Sequence, residues 1–238
     1  QLGDGTTVNK SIPTQIGTDN NWVSVSGSWT HSVGIKADGT LWGWGFSNFA
    51  TTGAPGLVTL STPTQLGTDS NWSSVYTSSG STFAIKTNGT LWSWGSDNFG
   101  KLGKGPSGNP NIISQVGTAT WISISGGDNH TVGIQTNGTL WVWGSGADGK
   151  LGLSSFTNYS VPTQVGSETN WSKVSAGTDH TIAIKTNGTL WAWGKNDVGQ
   201  LGTGSMASPI IYPVQIGAET TWSIVESGNY HNLAIKTN

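Results

Sequence analysis

Asn187-Gly188-Thr189-Leu190-Trp191-Ala192-Trp193-Gly194 decides the architecture, because its core returns along the chain at a fixed distance. Gly-Thr-Leu-Trp stands at Gly39 to Trp42, Gly89 to Trp92, Gly138 to Trp141 and Gly188 to Trp191, in steps of 50, 49 and 50 residues. A second series, Trp22, Trp72, Trp121, Trp171 and Trp222, keeps the same step. A third phrase precedes it, from Pro13-Thr14-Gln15-Ile16-Gly17 to the copies that end at Gly67, Gly117, Gly166 and Gly217. Such a period is the signature of an array in which each repeat is one supersecondary unit.

Each repeat reads as four short strands. Pro-Thr-Gln-Ile is the first, with Pro at a strand start or edge, where its missing N–H does no harm. Trp22-Val23-Ser24-Val25 and its copies alternate as the second. The third carries apolar pairs such as Val33 and Ile35 or Ile182 and Ile184, separated only by Gly or Ala, which predicts close approach of a neighbouring sheet. Leu41-Trp42-Gly43-Trp44 and its copies are the fourth. Asp38-Gly39, Asn88-Gly89, Asn137-Gly138 and Asn187-Gly188 join the third to the fourth and predict two-residue type I′ turns.

The expected fold is therefore an all-β propeller of five four-stranded repeats in a single domain over 1–238. The repeats fall at about 13–62, 63–112, 113–161, 162–212 and 213–238 plus 1–12. The array is cut within a repeat. It ends at Ile235-Lys236-Thr237-Asn238, where Gly-Thr-Leu-Trp should follow, and opens at Gln1-Leu2-Gly3, which matches Gln200-Leu201-Gly202. A fragment of a longer propeller, a five-bladed ring with a defective blade, and a protomer completed by a neighbouring chain all satisfy this pattern. The fragment is preferred, because unpaired edges are normally avoided.

Composition narrows the function. The net charge is −2, charged residues make up 9%, and every basic side chain is Lys. No basic cluster is present to meet a phosphate backbone, so nucleic acid is not an expected partner. Cysteine is absent, which removes disulfides and thiolate metal sites. No apolar run reaches membrane-spanning length, so no membrane partner is expected. The opening Gln1 points to a mature or excised product, and the low charge with abundant Ser, Thr, Gly, Asn and Trp points to a secreted bacterial surface protein, extracellular or cell-surface in location.

The run from Trp171 to Gly202, with Gly-x-x-His-Thr, Lys-Thr-Asn-Gly-Thr-Leu-Trp, Trp-Gly and Gly-Gln-Leu-Gly within it, resembles the regulator of chromosome condensation repeat family. The resemblance covers essentially the whole chain. It implies a propeller, usually of seven blades, in which the recurring His is a structural hydrogen-bonding residue at a blade corner. His31, His130, His180 and His231 hold that place, with Ser81 in the second repeat. The founding members exchange guanine nucleotides on a small GTPase, but the basic tail expected with that role is missing here.

Thirteen of the 14 tryptophans occupy repeat positions and read as core. Trp29 does not, since its counterparts are Ser79, Asp128, Thr178 and Asn229. The positions just before each His diverge freely, as Trp29-Thr30, Ser79-Gly80, Asp128-Asn129, Thr178-Asp179 and Asn229-Tyr230. Scaffold residues repeat while recognition residues diverge, so these loops are the candidate binding face. A second variable zone lies at Phe46 to Leu60, Lys104 to Ile112, Leu153 to Tyr159 and Thr203 to Tyr212.

Catalytic signatures are missing: no paired Glu, no His-Glu metal motif, no Gly-x-Ser-x-Gly elbow and no phosphate loop. The chain reads as a non-catalytic module that binds another protein and needs no cofactor or metal. A lectin-like module with a glycan partner, a self-assembling protomer and an exchange-factor-like domain are the alternatives.

Overall fold

The structure, a computed structural model, describes residues 1–47, 51–54 and 59–237. Residues 48–50 and 55–58 of the second variable zone lie outside the described residues. Two compact units divide the chain, one of residues 1–96 with 109–118 and one of 97–108 with 119–238.

In the first unit β1 (Trp22–Gly27), β2 (His31–Lys36), β3 (Leu41–Gly45) and β4 (Leu60–Gln65) form an antiparallel sheet in that order. The strands β5 (Trp72–Ser78), β6 (Ser81–Lys86), β7 (Thr90–Gly95) and β8 (Ser114–Gly126) repeat it. In the second unit the later part of β8 pairs with β9 (His130–Gln135), followed by β10 (Leu140–Gly144) and β11 (Tyr159–Gln164). A further sheet holds β12 (Trp171–Ala176), β13 (His180–Lys185), β14 (Leu190–Gly194) and β15 (Ile210–Gln215). The hairpin of β16 (Trp222–Ser227) and β17 (Asn232–Lys236) closes the series.

Sheets and sequence repeats are offset by one strand. The Pro-Thr-Gln strand pairs backwards onto the preceding Leu-Trp strand, with Trp42 opposite Gln65, Trp141 opposite Gln164 and Trp191 opposite Gln215. Pro63 sits in an edge strand where the register slips between Gly43 and Gly45, a place that tolerates its missing donor. Pro13 to Ile16, expected as a strand, forms none.

The hairpin turns also differ from the expectation. Gly39 donates its N–H to Lys36 O, as Gly89, Gly138 and Gly188 do to Lys86, Gln135 and Lys185. Gly39 has φ +77, while Asp38 and the three Asn residues stay out of the left-handed region. The loop is thus a type I turn closed by a left-handed glycine rather than a type I′ pair. The Asn has another task. Asn137 Oδ1 accepts from the Thr139 N–H at 3.2 Å and hydroxyl at 2.6 Å, and Thr139 Oγ1 accepts from Trp141 Nε1 at 2.7 Å. Asn-Gly-Thr-Leu-Trp is one hydrogen-bonded relay.

Gly138 (φ +79) also abuts the Thr169 carbonyl oxygen, which a Cβ would overlap, and its own carbonyl accepts the Trp171 N–H at 3.1 Å. Gly166, at φ +60, faces open space. Gly166→Ala is expected to cost about 1–2 kcal/mol, the strain of a left-handed L-residue. Gly138→Ala should cost at least about 3 kcal/mol, because backbone must move as well. Urea unfolding of the two variants compares them directly, and equal costs would show that the Thr169 segment gives way freely.

The core lies between consecutive sheets. In the first unit Val33, Ile35, Leu41 and Leu66 pack with Trp72, Val75, Ala84 and Trp94. In the second, Val132, Ile134, Leu140 and Val165 pack with Trp171, Val174, Ala183 and Trp193. The small residue of the third strand serves its own sheet, since Gly34 lies against the Trp22 ring and Gly133 against Trp121.

A charged brace closes the far end of that strand. Lys36 Nζ lies 2.8 Å from the Asp19 carboxylate and over the rings of Trp22 and Trp42, at 5.0 and 3.6 Å. Lys86 with Asp69 and Lys185 with Glu168 repeat the arrangement. The third repeat has Gln135 for the Lys and Thr118 for the acid, so the two charges are exchanged together.

Candidate interaction surface

The loops before each His are fixed in backbone and free in side chain. The N–H of Ser28, Gly127, Gly177 and Gly228 donates to the carbonyl of the His three residues on. The carbonyls of Thr30, Gly80, Asn129 and Asp179 accept the N–H of Phe46, Ser96, Ser145 and Lys195 in their respective repeats, at 2.6 to 2.9 Å. On these clamps Trp29 is 74% exposed and Tyr230 58% exposed, while Thr30, Ser79, Asp128, Asn129, Thr178 and Asp179 are partly buried and Asn229 is exposed.

Within the second unit three of these loops adjoin. Thr178 donates its N–H to Asn229 O at 3.3 Å, and Gly127 lies against the Gly177 carbonyl. Asp128 is held above the ordinary carboxylate range by burial and by the neighbouring Asp179, with Lys101 and Lys150 opposing. Trp29, Thr30 and Ser79 belong to the first unit.

Sequence reading missed the layer beneath. In three Gln/Lys-Leu-Gly phrases the opening residue reaches the next loop. Gln1 Nε2 donates to Trp29 O at 3.2 Å, Lys101 Nζ to Asp128 O at 2.8 Å, and Lys150 Nζ pairs with the Asp179 carboxylate. Lys101 and Lys150 are buried, and burial pulls the Lys101 ammonium down to about 8. The signal available was a long polar side chain at a fixed place before an invariant Leu-Gly.

His31, His130 and His180 form a second buried layer. His31 Nε2 lies 2.8 Å from Thr82 Oγ1 and His130 Nε2 3.0 Å from Thr181 Oγ1. Each Thr hydroxyl donates its hydrogen to a backbone carbonyl, Thr51 or Lys150. The His must therefore donate from Nε2, which fixes the neutral tautomer with Nδ1 unprotonated. Burial lowers His31 to about 4 and His130 and His180 in the same direction. These rings join neighbouring sheets and are not poised for acid–base work at neutral pH. Among the described residues no group of three or more His, Asp or Glu could hold a metal ion.

Known proteins bear on this geometry as follows. Human WBSCR16 superposes with TM-score 0.83 at 22% identity, over 100% of this chain and 66% of that one. Prp20p from Saccharomyces cerevisiae, described with its binding to Gsp1p and histones, gives 0.80 at 19% identity, over 93% and 58%. Yeast RCC1 (Prp20) in complex with Kap60 gives 0.81 at 19% identity, over 95% and 56%. The chain thus spans 56–66% of the length of these solved structures, which share its propeller-type fold. No curated protein matches the chain. The regulator of chromosome condensation (RCC1) repeat model matches residues 1–35, 88–134, 137–184 and 187–235, and a second model of that repeat matches 121–150 and 171–200. With most of its length matched, the chain belongs to the RCC1 repeat family.

Proposed function

We propose that the chain is a non-catalytic protein-interaction module of a secreted or surface protein, and that it engages its partner through the loops before each His. One observation carries this reading: five loops have clamped backbones but unlike side chains, and the two large aromatics among them, Trp29 and Tyr230, stand exposed. Preset backbones lower the ordering cost of binding, and exposed aromatics are the residue type that dominates interface energy. Prp20p binds proteins, and the same fold suits that role here. The location outside the cell rests on composition.

Photo-crosslinkable residues at positions 29 and 230, with position 122 as control, test the reading in native extract. The expected result is a discrete protein adduct from the loop positions. Trp29→Ala should weaken binding of that protein by on the order of 30-fold with unchanged melting temperature. Adducts formed equally at position 122, or none at 29 and 230, would overturn it.

A further inference from the structure

Asn88-Gly89, Asn137-Gly138 and Asn187-Gly188 are the peptide bonds of this chain with the greatest chemical tendency to rearrange. In such a pair the glycine nitrogen attacks the Asn Cγ, because glycine has no side chain to obstruct the approach. The N–Cγ bond forms, the Cγ–Nδ2 bond breaks, and ammonia departs with the proton of the glycine N–H. Water then opens the five-membered imide, at Cγ to give Asp or at the main-chain carbonyl to give isoaspartate. All three Asn residues are exposed to that water.

The fold withholds the reaction. Ring closure needs the Asn Cβ and the glycine nitrogen eclipsed about the Cα–C bond. Asn137 is the third residue of its type I turn, where ψ is about 0° and the nitrogen stands roughly a third of a revolution away. Three bonds oppose that rotation. Gly138 donates its N–H to Gln135 O at 2.9 Å, its carbonyl accepts the Trp171 N–H at 3.1 Å, and Asn137 Oδ1 accepts from the Thr139 hydroxyl at 2.6 Å. Asn187 repeats all three through Gly188 and Lys185, Trp222 and Thr189. Donors on Oδ1 also polarise Cγ toward attack, but a nucleophile turned away by that angle gains nothing from it.

The first repeat shows that the product fits. Asp38 stands at the same place, and its carboxylate accepts the Thr40 N–H at 3.0 Å and hydroxyl at 2.6 Å. Trp42 Nε1 still donates to Thr40 Oγ1 at 2.8 Å, so the relay is complete with Asp in it.

We infer that Asn88, Asn137 and Asn187 are latent deamidation sites, closed by the folded turn and released when it loosens, with the Thr two residues on holding each one closed. Local opening of the turn, not the intrinsic chemistry, then sets the rate, and Asp at these positions records how long the turns have stood open. Each conversion adds one negative charge to a chain of net charge −2, at a place that accepts a carboxylate.

Peptide mapping by mass spectrometry, after incubation in mildly alkaline buffer, tests this. In the folded chain the three sites should convert at least about tenfold more slowly than in guanidinium chloride, where no turn persists. Thr139→Val removes the hydroxyl and keeps the shape, so conversion at Asn137 should rise about fivefold relative to Asn187 in the same molecule. Thr189→Val should move that ratio about fivefold the other way, and Thr139→Ser, which keeps the hydroxyl, should leave it at its original value. Conversion as fast in the folded chain as in denaturant, or a ratio that neither valine variant moves, would overturn the inference.

Discussion

Trp193→Ala is expected to lower stability by about 4 kcal/mol, within the range for emptying a buried aromatic site. Trp193 is fully buried at the junction between two sheets of the second unit, edge-on to Trp171 at 6.2 Å between ring centroids. Its Nε1 donates to Lys150 O at 2.9 Å, the carbonyl that also takes the Thr181 hydroxyl. Three losses therefore coincide: apolar burial, an edge-to-face pair and a buried hydrogen bond. Trp193→Phe keeps most of the first two and leaves Lys150 O still bonded to Thr181, so about 1–2 kcal/mol is expected for it. Against a total stability of about 5–15 kcal/mol, the Ala variant sits close to unfolding. Denaturant midpoints at constant slope measure both. An Ala cost below that of Phe would mean that the junction collapses onto the gap.

Acidification from pH 7.5 to pH 5 is expected to remove about 2 kcal/mol through His31 alone, at about 1.4 kcal/mol per pH unit below pH 6.5, and His130 adds to the loss in the same direction. Both are neutral in the folded chain and lowered by burial, His31 to about 4. In the unfolded chain each takes a proton near pH 6.5. Below that pH the unfolded state binds more protons than the folded one, so stability present above pH 6.5 is lost progressively as pH falls toward 4. His180, lowered in the same direction, adds to the loss. His130→Ser, which copies the second repeat with its Ser81, should cost stability at pH 7.5 but remove one ring's share of the acid slope. Stability–pH curves of the two proteins show it, and an unchanged slope in the variant would remove His130 from the account.

The strands, the hairpins and the core were legible because five copies of one pattern agree on which side chains stay apolar. Two features were not. The partner of the Pro-Thr-Gln strand is not encoded in its own alternation, which is the same whichever Leu-Trp strand it joins. The turn type depended on Ala37, Thr87, Thr136 and Thr186, whose N–H groups leave the ladder for the carbonyls of Asn21, Asn71, Thr120 and Asn170 and so lengthen the loop by one residue. At the surface, divergence between copies located the loops. It could not reveal Lys101 and Lys150 beneath them, because a lysine in a Lys-Leu-Gly phrase looks solvated until the next sheet covers it.

The backward pairing of β4 and β11 gives the junctions they span the logic of a backstitch. From β3 the chain goes forward, so that Thr51 O takes the Trp94 indole and Thr82 hydroxyl of the next sheet, then returns as β4 beside β3, then leaves again as β5. In the second unit Lys150, β11 and β12 repeat the three passes. A simple solenoid crosses each interface once and can fray from its ends one repeat at a time. At these two junctions neither sheet comes away without pulling a loop or a strand that lies against the other, so thread holds the seam together and its two sides unravel as one.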